Sequence, residues 1–291
     1  MQEKHYDRSA QDLGNIVNLG HVNVRIDDQH LATHYYITGL GYTRDPFLVT
    51  GAENMWVNVG VSQFHLPMGT PDLLRGVIGV VVPDRAQLLD RLTRARKALA
   101  GTKFEFRESN DRVETVCPWG NRIHVHTPDE ARFGRIVLGM PYIRFDVRLG
   151  TAERIARFYR EVIHAPAEVS KNGSSPEARV TVGEKQYFYF RETDAPEKPY
   201  DGHHAQIYMA DFSGPYQRLK RLGLITAETS EYEYRFKDVI DLDTREVLFT
   251  VEHETRSHTH PMYGRPLINR NPAATTADYR PGHDILSWAM S

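Results

Sequence analysis

One order of elements recurs four times along the 291-residue chain, and few folds can absorb such a repeat. Residues 18–68 read as a strand (NLGHVNVRI), a helix (HLATHYYITGLG) closed by Gly41, and three short extended runs around YTRDPFLV, NMWVNVG and SQFHLP. That is one β-α-β-β-β unit. The second has the strand GVIGVVV, a helix RAQLLDRLTRARKAL with apolar residues at helical spacing, and the alternating runs FEFRE, RVETVC and RIHVHT. After a linker near 129–139 the third passes through PYIRFDV, TAERIARFYREVI, ARVTVG and QYFYFRE. The fourth passes through HAQIYMAD, YQRLKRLG, EYRFKD and EVLFTVEHE. A lone unit leaves a sheet face bare, so the repeat predicts that neighbouring units pair to cover it. Two units make a domain and four make two.

The expected division is an N-terminal segment over 1–17, a first paired domain over 18–130, a second over 139–255, and an irregular tail over 256–291. Lys171 to Pro176 (KNGSSP) and Asp194 to Asp201 (DAPEKPYD) read as loops of the second domain. In the tail, Pro261, Pro266, Pro272 and Pro281 prevent any long regular element. Tyr263, Tyr279 and Trp288 give it the means to dock partly on the body.

Composition removes several classes of function. Lys and Arg number 36 against 38 Asp and Glu, with no long basic run to track a phosphate backbone, which argues against a nucleic-acid partner. Cys117 is the only cysteine, so an internal disulfide and a cysteine-built zinc cluster are excluded, and a reducing compartment fits. The polar start MQEKHYDRSAQDLGN and the lack of a long apolar run predict no membrane partner and a cytoplasmic location. Fourteen histidines remain to be explained, and histidine is the commonest metal ligand.

Four stretches resemble the vicinal oxygen chelate superfamily of glyoxalases, bleomycin-resistance proteins and extradiol dioxygenases. They are GHVNVRIDDQHLATHYYITGLGYTRDP, CPWGNRIHVHTP, TAERIARFYREV and GHHAQIYMAD, one in each unit. The resemblance implies an α+β fold of four β-α-β-β-β modules paired into two cupped mixed-sheet domains. It also implies metal ligands on the first and last strands of the units. In the first unit these places hold His21 and His65; in the second they hold Val77 and His124. In the third they fall near Arg144 and Phe188, and in the fourth at His204 and Phe249. A divalent ion on His21, His65 and His124 in the first domain is therefore expected, with Fe(II) favoured and Zn, Ni or Mn as alternatives, and a degenerate second domain.

Strand parity agrees. Side chains alternate across a strand, so Val22, Val24 and Ile26 share one face while His21, Asn23 and Arg25 share the other. His65 lies opposite Phe64 and Leu66, and His124 and His126 lie opposite Ile123 and Val125. Imidazoles on a rigid sheet leave coordination positions open for water or substrate. His126 is the expected acid or base near such an ion, with Asn23, Arg25 and Arg122 orienting an anionic substrate. Without an acidic ligand the set departs from the two-histidine, one-carboxylate ferrous triad. His204 reads as structural, Glu252, His253, His258 and His260 as solvated groups at a strand end, and Cys117 as inert. Trp56 and the tyrosines read as core and cavity wall.

The leading functional expectation is a metal-dependent, dioxygenase-like oxidoreductase acting on a small oxygen-rich substrate, because extradiol enzymes share the four-unit plan. A lyase, isomerase or hydrolase of the glyoxalase type and a metal-free drug-binding protein are the alternatives. A scaffold that forms a homodimer through residues 139–255 is a third class.

Overall fold

The computed structural model describes residues 6–48, 52–170 and 175–270. The first unit comprises β1 (Ile16–Asn23), α1 (Gln29–Ala32, continued as a π-helix over Thr33–Gly39), β2 (Thr43–Arg44), β3 (Asn54–Val59) and β4 (Ser62–Pro67). The second comprises β5 (Gly76–Val81), α2 (Arg85–Ala95), β6 (Glu105–Glu108), β7 (Val113–Val116) and β8 (Arg122–His126). A short helix α3 (Glu130–Phe133) sits in the linker. The third comprises β9 (Gly139–Arg148), α4 (Ala152–Phe158, continued as a π-helix over Tyr159–Ile163), β10 (Ala167–Ser170), β11 (Glu177–Gly183) and β12 (Gln186–Thr193). The fourth comprises β13 (His204–Met209), α5 (Ser213–Arg221), β14 (Ile225–Ser230), β15 (Glu233–Ile240) and β16 (Val247–Ser257). Aspartates open three of the helices: Asp28 accepts from the backbone N–H of His30 and Leu31, Asp84 from that of Gln87, and Asp129 from that of Arg132.

These strands form two open eight-stranded sheets, which bears out the α+β reading and the paired modules. The pairing itself corrects the expected domain boundaries. One sheet runs β14-β15-β16-β13-β1-β4-β3-β2 and the other β10-β11-β12-β9-β5-β8-β7-β6. The first unit therefore joins the fourth, and the second joins the third, so neither 18–130 nor 139–255 is a sheet of its own. In each sheet the two opening strands meet antiparallel, β1 on β13 and β5 on β9. Small residues permit these approaches. A Cβ on Gly76 would lie 1.8 Å from the Arg144 carbonyl oxygen, and one on Gly79 2.2 Å from the Tyr142 ring. At β1 a Cβ on Gly20 would lie 1.8 Å from Gln206 Oε1. The repeat period cannot show this choice, because all four units offer a similar opening edge.

One continuous apolar core serves both sheets. Phe145 of β9 packs on Phe249 of β16 with ring centroids 5.3 Å apart, and on Phe190 of β12 at the same distance. His253 corrects a second expectation. It is fully buried, stacked 4.2 Å from Phe236 and bonded to the Tyr159 hydroxyl at 2.6 Å, rather than solvated. Burial lowers its pKa to about 3.

The tail docks as far as it is described. Arg265 pairs with buried Asp45 at 2.6 Å, and Asn58 Nδ2 donates to the Ile268 carbonyl at 2.9 Å. The Asn269 side chain bonds both the N–H and the C=O of Gly60 at 2.9 Å. Tyr263 contributes by stacking on His258, whereas Tyr279 and Trp288 lie outside the described residues, as does most of KNGSSP. No helix among the described residues is long and apolar enough to cross a membrane.

Candidate metal centre

Because β1 and β13 are neighbours, the first cup collects polar side chains from the first and fourth units. His21 on β1, His65 on β4 and His204 on β13 each offer a nitrogen, and the three atoms lie within 4.8 Å of one another. Glu254 on β16 completes the group: its Oε2 is 3.1 Å from His204 Nε2 and 3.7 Å from His21 Nε2.

A two-fold relation between the units explains the convergence. His21 is paired with Gln63 across the parallel β1–β4 ladder, and His65 lies two residues beyond. His204 is paired with Glu252 across β13–β16, and Glu254 likewise lies two beyond. Between the opening strands His21 faces Gln206 and Asn23 faces His204, the same offset read from either side. Four equivalent positions thus hold three imidazoles and one carboxylate.

Sequence reasoning missed Glu254 and the part played by His204, and misplaced His124. Parity along β16 did carry the signal: Phe249, Val251 and His253 point into the core, so Thr250, Glu252 and Glu254 share the other face. The strand is 11 residues long, which offered several polar positions at once.

The cluster is desolvated. His21 is 1% exposed, Glu254 2%, and His21 Nε2 has no hydrogen-bond partner among the described residues. Burial holds the His21 pKa well below its ordinary value and lowers that of His65 to about 3, with the His204 charge acting in the same direction. Burial opposes ionisation of Glu254, but His21, His204 and Arg256 outweigh it and hold the carboxyl well below the usual range. Arg256 Nη2 sits 2.5 Å from Glu254 Oε1 and Arg235 Nη2 2.7 Å from Oε2. His65 stacks on Trp56 at 3.9 Å, with Nδ1 bonded to Asn23 Nδ2 at 2.7 Å and Nε2 to Asn54 Oδ1 at 3.1 Å.

Imidazole nitrogens and an ionised carboxylate, buried together with an orphaned ring nitrogen, fit a divalent cation of the zinc or iron type. Beside them opens a cavity of about 490 Å³, floored by His21, Gln63 and Gln206 and roofed by tail residues Met262 to Leu267. Among the described residues neither the carbonyl nor the amide nitrogen of the Gln206 side chain has a partner, though the residue is only 1% exposed.

Of the expected orienting groups, Asn23 lies in this cup, on His65. Arg25 is tied to Asp72 at 2.6 Å and to the Asp201 carbonyl at 2.5 Å, outside the cavity lining. His124, His126 and Arg122 belong to the other sheet, because their unit pairs with the third. Arg122 is exposed and bonded to Asp146 at 3.0 Å. His126 Nε2 lies 2.9 Å from the Tyr142 hydroxyl, which is 3.4 Å from His124 Nδ1. The positions equivalent to the metal cluster there are Val77, His124, Tyr142 and Tyr189, by the same register rule. Among the described residues no second group of three metal-ligating side chains occurs.

No protein-family model and no curated protein matches the chain. Solved structures do. Glyoxalase I from Zea mays aligns with a TM-score of 0.56 at 14% identity, covering 83% of this chain and 92% of that one. A point mutant of the same maize enzyme gives a TM-score of 0.58 at 13% identity, with the same coverages. A Bacillus subtilis protein described as a "putative dioxygenase" aligns with a TM-score of 0.55 at 13% identity, covering 84% of this chain and 86% of that one. The chain shares the fold of these structures.

Proposed function

We propose that this chain, with its vicinal oxygen chelate fold, is a metal-dependent, dioxygenase-like oxidoreductase whose ion is held by the first and fourth units together. The observation that carries the reading is the convergence of His21, His204 and Glu254, two imidazoles and one carboxylate on adjacent strands. That is the facial set found with non-haem ferrous ions, so Fe(II) is the assigned metal and His124 is no longer a ligand. When bound, such an ion supplies Lewis acidity and open positions at which two neighbouring substrate oxygens, and O2, can be held.

The chain's own residues do the rest. Arg235 and Arg256 fix both oxygens of Glu254, so the carboxylate is ionised and aimed before any ion arrives. Asn23 and Asn54 occupy both nitrogens of His65 and keep that ring beside the triad rather than in it. Gln206 offers one donor and one acceptor to a substrate in the 490 Å³ cavity, and the docked tail excludes water from above.

A second reading follows from the same ring. The His65 nitrogen is near enough to join the ion, and a fourth protein ligand would leave only two positions, enough for a chelating substrate without O2. That arrangement suits a lyase or isomerase. The two readings separate on His65→Ala. If the triad suffices, the variant loaded anaerobically with Fe(II) keeps about one equivalent of iron and still gives the ferrous-nitrosyl EPR signal with nitric oxide. Loss of the iron, with no nitrosyl signal from the wild type, would overturn the dioxygenase reading.

A further inference from the structure

The second cup is not an empty copy of the first. It encloses about 420 Å³ between the second and third units, and its wall is basic: Arg112, Arg132, Arg144, Arg179 and Lys185 line it against a single carboxylate, Glu177. Three of these cations are already spent locally. Arg112 pairs with Asp111 and Glu114, Arg132 with Asp111 at 3.5 Å, and Arg179 with Glu168.

The other two are not. Arg144 projects from β9 with its Nε buried and without a hydrogen-bond partner, and among the described residues no carboxylate lies within 4.0 Å of its guanidinium. A half-buried cation left in this way is costly unless something else compensates it. Lys185, in the turn between β11 and β12, likewise has no ion pair among the described residues. It adopts φ 56°, a left-handed backbone that a side chain disfavours. Its stem lies along Gly134, where a Cβ would come within 2.8 Å of Lys185 Cγ. Between these cations stand the Tyr142 hydroxyl, buried His126 and the rings of Tyr187 and Tyr189.

We infer that the second cup is a binding site for a small dianion of the phosphate monoester class, its oxygens received by Arg144 and Lys185 and its organic part laid against Tyr187 and Tyr189. Arg144 and the exposed Lys185, neither in an ion pair among the described residues, match a doubly charged group. A guanidinium fork and a hydroxyl from one face of β9, met by an ammonium from the β11–β12 turn, suit a tetrahedral one. The site is independent of the metal in the first cup.

The test uses the full chain and inorganic phosphate as probe, by calorimetric titration at fixed ionic strength. Saturable binding with Kd below about 1 mM is expected, unmoved when chloride replaces the inert salt. Arg144→Gln and Lys185→Gln should each weaken it tenfold or more while leaving iron loading of the first cup at the wild-type level. That loading shows the variants are folded. Phenyl phosphate should bind more tightly than phosphate, and Tyr189→Ala should remove the difference. No saturable binding, unchanged affinity in both charge variants, or succinate binding as well as phosphate would each overturn the assignment.

Discussion

The two cups share one plan and differ in what stands at four equivalent positions. The first presents His21, His65, His204 and Glu254; the second presents Val77, His124, Tyr142 and Tyr189. In the first, arginines are used on Glu254, and among the described residues the ring nitrogens His21 Nε2 and His204 Nε2 are left without a hydrogen-bond partner, a cation's environment. In the second, Arg144 Nε joins His126 Nδ1 among the described buried nitrogens without a partner, and the guanidinium makes it an anion's environment. The lesson is that the cupped sheet dictates where side chains converge, and the local charge balance dictates what they can hold.

If the cups truly rest on one core, damage below one must reach the other. Phe145→Ala, under the second cup and against Phe249 of the first sheet, should cost about 3–5 kcal/mol and leave a single unfolding transition. Two separated transitions in urea, with only one displaced, would show that the sheets are independent. Next in size is the carboxylate clamp. Arg256→Gln should reduce Fe(II) affinity about 10–100-fold, whereas Arg112→Gln in the second cup should leave it unchanged. Equal losses would break the distinction between the cups.

The smallest effect concerns pH. Burial lowers the pKa of His124 and His126 to about 4 each, with Arg112 and Arg132 respectively acting the same way. Both are neutral in the folded protein at pH 5, while the unfolded chain takes up protons near pH 6.5. Their contribution to stability is therefore present above pH 6.5 and lost as pH falls towards 4. Between pH 7 and pH 5 the loss from this pair should be about 2 kcal/mol, after discounting for their partial exposure. A His124→Gln, His126→Gln double variant should show a correspondingly flatter fall in urea midpoint, and an identical slope would contradict the burial argument.

Much of the architecture was legible in the sequence because helical and strand periods are local. The four units and the polar-face placement of His21 and His65 follow from spacing within a few residues. Strands β10 and β14 were not legible, since AEVS and ITAETS lie at sheet edges with mostly exposed side chains and carry little contrast. The pairing of units was not legible either. It depends on how Gly20, Gly76 and Gly79 admit a partner strand far away in sequence, and once it was misread His124 was assigned to the wrong cup. Glu254 was lost for the same reason, as its partner His21 lies in the first unit, far away in sequence.

The central claim is that residues near positions 21 and 254 bind one ion together. Elemental analysis of anaerobically Fe(II)-loaded wild type, His204→Ala and His124→Ala measures it directly. The account predicts about one iron per chain in the wild type and in His124→Ala, and a near-complete loss in His204→Ala. Iron retained by His204→Ala and lost from His124→Ala would contradict it.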